Sequence, residues 1–136
     1  MPASAADSAI YRSLFSDEET AALFTDSAEI RAMLLVEGAL AKVHGRLGLI
    51  PETAGAYIER AAREVQIDPG ALGTETATNG VPVPALVAAF RKAMNAPEHA
   101  QFLHWGATSQ DVMETGLALR LRRVLRIWDE RLAALI

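Results

Sequence analysis

Cysteine is absent from the sequence of 136 residues. That excludes a disulfide scaffold, thiolate chemistry and any cysteine-ligated metal. Aromatic residues make up only 6% of the chain, so its apolar mass comes largely from Ala and Leu, which favour helix. No apolar run approaches the length needed to cross a bilayer, and no membrane partner is expected. The opening Met1-Pro2-Ala3-Ser4-Ala5-Ala6-Asp7 lacks the basic and apolar regions of a secretory signal, and a cytoplasmic location is expected. A formal net charge of −4 provides no positive field for nucleic acid. Neither His44 nor His99 has a partner at metal-ligand spacing, so no metal is expected. What remains is 51% apolar and 22% charged, the balance of a globular domain of ordinary length.

Helix signals follow one another with little between them. Ser16-Asp17-Glu18-Glu19 has capping-box spacing and predicts a short helix to about Phe24. Asp26 with Glu29 repeats the signal and predicts a long helix to Leu47, with Ile30, Met33, Leu34, Leu40, Val43 and Leu47 on one face. Gly48 offers a left-handed cap, and Pro51 opens a helix carrying Ala54, Tyr57, Ile58, Ala61, Ala62 and Val65. Asp68-Pro69 restarts the chain as an N-cap followed by proline. The stretch 70–80 reads as weakly helical at best. Pro84 opens a helix through Met94, and 97–106 reads as an ordered connection. From Thr108 to Ile136 the pattern is one long helix, on the order of 40 Å at the α-helical rise. Its Met113, Leu117, Leu121, Val124, Trp128, Leu132 and Leu135 step by bundle-type seam spacing. No glycine, proline or polar cap stops it before Ile136, the pattern of a chain cut within a longer one. The arginines along it, Arg120, Arg122, Arg123, Arg126 and Arg131, alternate with Asp129 and Glu130 and read as a solvated or salt-bridged face.

The segment that carries chemistry is His104-Trp105-Gly106-Ala107-Thr108-Ser109-Gln110-Asp111. Gly106 permits a sharp backbone turn. Thr108 caps the long helix, with Asp111 placed to complete a variant capping box. The first-turn N–H groups lie unpaired at the positive end of the helix dipole. Hydroxyls and free N–H groups at one helix start form an anion site, and His104 lies close enough in sequence to reach the same anion. A carboxylate suits such a site. Taken alone, the string also fits an ordinary N-cap beside a packed histidine.

The string His-x-Gly-x-Thr-Ser-x-Asp, followed by Thr115, resembles a conserved region of the fumarase/aspartase superfamily, and its continuation through Val112-Met113-Glu114-Thr115-Gly116-Leu117 is similar to that of the lactonising (cycloisomerase) branch. Phe15-Ser16-Asp17, Glu37-Gly38-Ala39-Leu40-Ala41 and Gly48-Leu49-Ile50-Pro51 follow that branch's opening in order. The resemblance implies an all-α fold: an N-terminal helical domain over 1–107, and over 108–136 the truncated start of a central helical bundle. It implies homotetramers whose active sites draw on several subunits, a small tricarboxylate substrate, and no metal or organic cofactor. His104 and Ser109 would be catalytic. Thr108 and Ser109 would bind a substrate carboxylate, while Gln110 and Asp111 fix the loop.

Adenylosuccinate lyases, a neighbouring branch, carry a His-Asp pair upstream of this motif. Here Asn79-Gly80-Val81-Pro82-Val83-Pro84 offers no ionisable group, which weighs against that branch. The lactonising branch has a Gly-Asn pair there. Asn79 precedes its glycine instead and reads either as a substrate contact or as a turn residue. The superfamily's later Thr-His segment and its Gly/Ser-rich loop are not present in the sequence. The function expected is thus part of an enzyme that adds a carboxylate across a double bond to form a lactone. The alternatives are another lyase of the superfamily and a helical assembly segment without catalysis.

Overall fold

The computed structural model describes residues 4, 5 and 7–136; residues 1–3 and Ala6, read above for a secretory signal, lie outside the described residues. Every regular element among the described residues is helical. In chain order they are α1 (Arg12–Phe15), α2 (Glu18–Ala21), a 3₁₀ turn (Ala22–Phe24), α3 (Asp26–Arg46), α4 (Glu52–Glu64), a 3₁₀ turn (Pro69–Leu72), α5 (Gly73–Asn79), α6 (Val83–Met94), α7 (Pro97–Ala100) and α8 (Ser109–Ala133). The all-α expectation holds. No described helix is long and apolar enough to cross a membrane.

The caps differ in detail from the expectation. Asp17, not Ser16, caps α2 and accepts from Thr20 N–H. Thr25 rather than Asp26 caps α3, accepting from Ala28 N–H at 3.2 Å. The Thr-rich stretch 70–80 is more helical than expected. Asp68 accepts from Gly70 N–H at 3.0 Å and starts the turn, and α5 follows it directly. Thr76 Oγ1 donates back to the Leu72 carbonyl at 2.8 Å, so its hydroxyl is satisfied within the helix. The connection 97–106 contains the single turn α7, and Arg91 of α6 pins it by donating to the carbonyls of Ala100 (3.2 Å) and Leu103 (3.0 Å).

The core gathers Met33 and Leu34 of α3, Ile58 of α4, Leu86 and Phe90 of α6, Leu103, and Val112 of α8, all essentially inaccessible. Burial of each large side chain contributes roughly 1.5–3 kcal/mol before chain entropy is subtracted. The buried face of α3 is not the one its leucines and valines predict. Ile30, Met33 and Leu34 are buried as expected, but further along the helix Gly38, Ala41 and Gly45 take over while Val43 and Leu47 face solvent. The reason is the close approach of α4. A Cβ at Gly38 would lie 2.8 Å from Ala62 Cβ, and one at Gly55 only 2.5 Å from the Ala41 carbonyl oxygen. Leucine does not fit between backbones at that separation.

On another face α3 receives α8. A Cβ at Gly116 would lie 3.5 Å from Ala32 Cβ and Met33 Cγ. Arg120 is buried there, near Glu29 (3.6 Å) and over the Phe24 ring (5.7 Å). Arg131 pairs with Asp17 (2.6 Å) and Glu19 (2.8 Å), tying α8 to α2. Arg126 lies 3.4 Å from Glu130 one turn on, so the salt-bridged reading of these arginines applies to Arg120, Arg126 and Arg131. Of the expected seam, Val124 is buried and Met113 half-buried, while Leu117, Leu121, Trp128, Leu132 and Leu135 are exposed.

Candidate carboxylate site at the start of the long helix

Arg91 holds the backbone of the connection against α6, and the chain then turns sharply into α8. His104 (φ +62°) and Gly106 (φ +69°) both adopt left-handed backbone. Glycine does so at no steric cost, whereas a histidine there costs about 1–2 kcal/mol. The compensation is a side-chain contact: His104 Nδ1 lies 2.6 Å from Glu37 Oε1. Glu37 sits midway along α3, 1% exposed, in a face that is otherwise apolar or small. Burial pushes its carboxyl above the usual range, and the hydrogen bond with His104 opposes that shift. The other oxygen, Oε2, is buried with no hydrogen-bond partner among the described residues.

His44 completes the surroundings. It lies two helical turns beyond Glu37 on the same face of α3, and a Cβ at Gly106 would sit 3.8 Å from its Cε1. Its Nδ1 is likewise buried and unpartnered among the described residues.

Helix α8 begins with the expected cap. Thr108 has extended backbone (φ −108°, ψ 163°), and its N–H donates to Asp111 Oδ2 at 3.0 Å, within a capping box. The Asp111 carboxylate is thereby committed to the loop's own backbone. The Gln110 side chain donates to Glu114 one turn on, along the helix surface. Ser109 is half-buried at the first helical position, and its N–H and that of Gln110 are first-turn donors without an intrahelical acceptor. Trp105 is 52% exposed, with its ring near Phe102 (6.2 Å between centroids), and so stands outside the core.

The structure thus brings His104, Thr108, Ser109, Gln110 and Asp111 together on one short turn. Asn79 is an exposed residue at the last position of α5, followed by Gly80 in left-handed backbone (φ +75°). That is the geometry of a helix C-cap, and no described hydrogen bond joins Asn79 to the motif. In the sequence Glu37 stands only within the string Glu37-Gly38-Ala39-Leu40-Ala41, and His44 only as a histidine without a metal-ligand partner. The available signal was their spacing, two turns apart on the buried face of a helix otherwise lined by small residues.

The turn lies open on the surface of this single chain. A cleft of about 580 Å³, lined by Arg31, Leu34, Arg63 and Val65 among others, includes no residue of the motif. Chemically, the turn offers hydroxyls, free N–H groups, a helix dipole and an imidazole held by a buried carboxylate. Those groups stabilise negative charge on a carboxylate.

Comparison with known proteins finds relatives over most of the chain. No family model matches the chain. A 3-carboxy-cis,cis-muconate cycloisomerase from Pseudomonas aeruginosa is 41% identical over 116 residues, 84% of this chain and 25% of the relative. The crystal structure of 3-carboxy-cis,cis-muconate lactonizing enzyme from Pseudomonas putida superposes with a TM-score of 0.83 at 36% identity, over 90% of this chain and 28% of that one. A fumarate lyase from Mesorhizobium gives 0.80 at 35% identity, over 86% of this chain and 27% of the other. The chain therefore spans about a quarter of the length of the relatives it matches. By sequence and by fold it belongs to the fumarase/aspartase superfamily, and within it is similar to the 3-carboxy-cis,cis-muconate cycloisomerases.

Proposed function

We propose that this chain is the carboxylate-holding segment of a cycloisomerase acting on 3-carboxy-cis,cis-muconate, a cytoplasmic enzyme of the relatives' full length. The observation that carries the reading is the turn from His104 to Asp111, one short stretch of chain that carries an imidazole braced by Glu37, two hydroxyls and the first-turn N–H groups of α8. In the reaction one substrate carboxylate adds across a double bond to close a lactone, and the adjacent carbon takes up a proton. Negative charge develops on the carboxylate attached to that carbon as the carbanion-like state forms. Donors fixed at that carboxylate bind the transition state more tightly than the ground state. Ser109 and Thr108 supply hydroxyl donors, the start of α8 supplies N–H groups, and His104 flanks them. The proton donor belongs to other segments of the enzyme.

The exposed stripe of Leu117, Leu121, Trp128 and Leu132 supports assembly of α8 into a central bundle, in a homotetramer whose sites draw on several subunits. The division into a domain over 1–107 and a bundle start over 108–136 belongs to the same reading. Likeness to a fumarate lyase favours a second reading, proton removal beside a carboxylate with departure of a leaving group. Both reactions use the same carboxylate donors.

The two are separated by assaying a protein of the relatives' length that carries this chain. Spectrophotometric loss of 3-carboxy-cis,cis-muconate is expected, and Ser109→Ala is expected to lower turnover by about 10- to 1,000-fold, as for loss of an oxyanion donor. Release of an unsaturated dicarboxylate from a saturated precursor, with the muconate untouched, would select the lyase.

A further inference from the structure

We propose that Glu37 is a positioning residue for the carboxylate site, holding His104 so that its outer ring nitrogen, Nε2, carries a proton toward the substrate. This rests on the reading that a substrate carboxylate sits at Thr108 and Ser109.

The geometry commits one nitrogen. His104 Nδ1 lies 2.6 Å from Glu37 Oε1, so Nε2 is the nitrogen left for a ligand, and the ring is about one-fifth exposed. Two charge arrangements fit that distance. In one, an ionised Glu37 accepts from Nδ1–H of a neutral ring, and Nε2 is a bare lone pair. In the other, a single proton lies between Oε1 and Nδ1, and Nε2–H is a donor. The first buries a full negative charge in a face made of Met33, Leu34, Gly38 and Ala41, with Oε2 unpartnered. Such a charge costs several kcal/mol unless it is compensated. The second makes the pair neutral overall, whichever heavy atom holds the shared proton. Burial raises the Glu37 carboxyl, in the same direction. Arg91 also acts on Glu37 electrostatically, but its described donors go to the Ala100 and Leu103 carbonyls and leave the carboxylate unbonded by it. A bare Nε2 would repel a carboxylate, whereas Nε2–H binds one.

A purely structural role explains less. A leucine would fill the Glu37 position without an unsatisfied oxygen. The His104 backbone is held in left-handed conformation, at a cost, by the same contact. A buried acid that destabilises its surroundings, joined to a strained histidine beside a carboxylate site, is accounted for by the orientation it gives the ring.

The test uses the full-length protein with ¹⁵N-labelled histidine and two variants. In the wild type at neutral pH, His104 Nε2 is expected to be protonated, with and without a tricarboxylate ligand. Glu37→Leu is expected to fold with an unfolding midpoint no lower than wild type, to release the ring so that its proton exchanges between Nδ1 and Nε2, and to reduce kcat/KM by about 100-fold, the scale of a misplaced group. Glu37→Gln, whose amide donates to Nδ1, is expected to keep the Nε2 proton and recover most of the activity. An unprotonated Nε2 in the wild type, or Glu37→Leu within twofold of wild-type kcat/KM, overturns the proposal. The ring-nitrogen signal decides this even if the protein leaves the muconate unreacted, an outcome that would overturn the proposed reaction alone.

Discussion

The two long helices both carry apolar residues at helical spacing and use them in opposite ways. Helix α3 buries glycine, alanine and a carboxylate against α4 and α8, leaving Val43 and Leu47 in solvent. Helix α8 buries Val112, Gly116, Arg120 and Val124 against α3 and leaves most of its leucine stripe exposed. The difference is one of distance. Where two backbones nearly touch, as at Gly55 against the Ala41 carbonyl, small residues form the interface and large ones are pushed outward. Where an apolar stripe has no neighbour among the described residues, large residues remain on it. Hydrophobic spacing alone does not distinguish these situations.

Three substitutions test that contrast. The largest stability effect is expected at the α3–α4 contact. Gly55→Ala places a Cβ 2.5 Å from a backbone oxygen that cannot rotate away. Urea unfolding should show a loss of about 1–3 kcal/mol from overpacking, although alanine is the better helix former by about 1 kcal/mol. An unchanged midpoint would mean that the helices separate easily.

An effect of opposite sign is expected at Glu37. Burial raises its carboxyl above the ordinary value of 4.5. For a raised acid, the favourable contribution is fully present below the unfolded value and is lost as pH rises through the folded one. Glu37→Gln, always neutral, should therefore match the wild type near pH 4 and become progressively more stable than it toward neutrality. Thermal unfolding across that range measures the gap, and a gap that widens toward acid would contradict the assignment.

The smallest effect is expected on α8. Leu132 is 61% exposed, so Leu132→Gln should change stability within about 0.5 kcal/mol. Sedimentation of the full-length protein should nevertheless show weakened assembly, because the proposed bundle packs through that face. A large loss of stability in this chain alone would show that Leu132 already has a partner within it.

Much of the fold was legible because local signals agreed with the outcome. Gly48 (φ +70°) does end α3 in left-handed backbone, and Asp68-Pro69 does open a turn. Ile58, Ala61 and Ala62 lie in the core where helical spacing put them. Helix α5 was underestimated because threonine propensity disfavours it, whereas the Asp68-capped turn leads straight into it and Gly80 closes it in left-handed backbone. At the candidate site, the capping turn could be read from one contiguous string. The Glu37–His104 contact could not, since it joins positions far apart in sequence through the docking of a loop on α3. The left-handed backbone of His104 was hidden for the same reason: a tertiary contact imposes it, against the residue's own preference.

The most direct test of the account is a crystal structure of the full-length protein with the lactone product bound. A product carboxylate is expected within about 3 Å of Ser109 Oγ and of a first-turn N–H of α8, with His104 Nε2 facing the same carboxylate. A product bound elsewhere, with the turn from His104 to Asp111 left in open solvent, would contradict it.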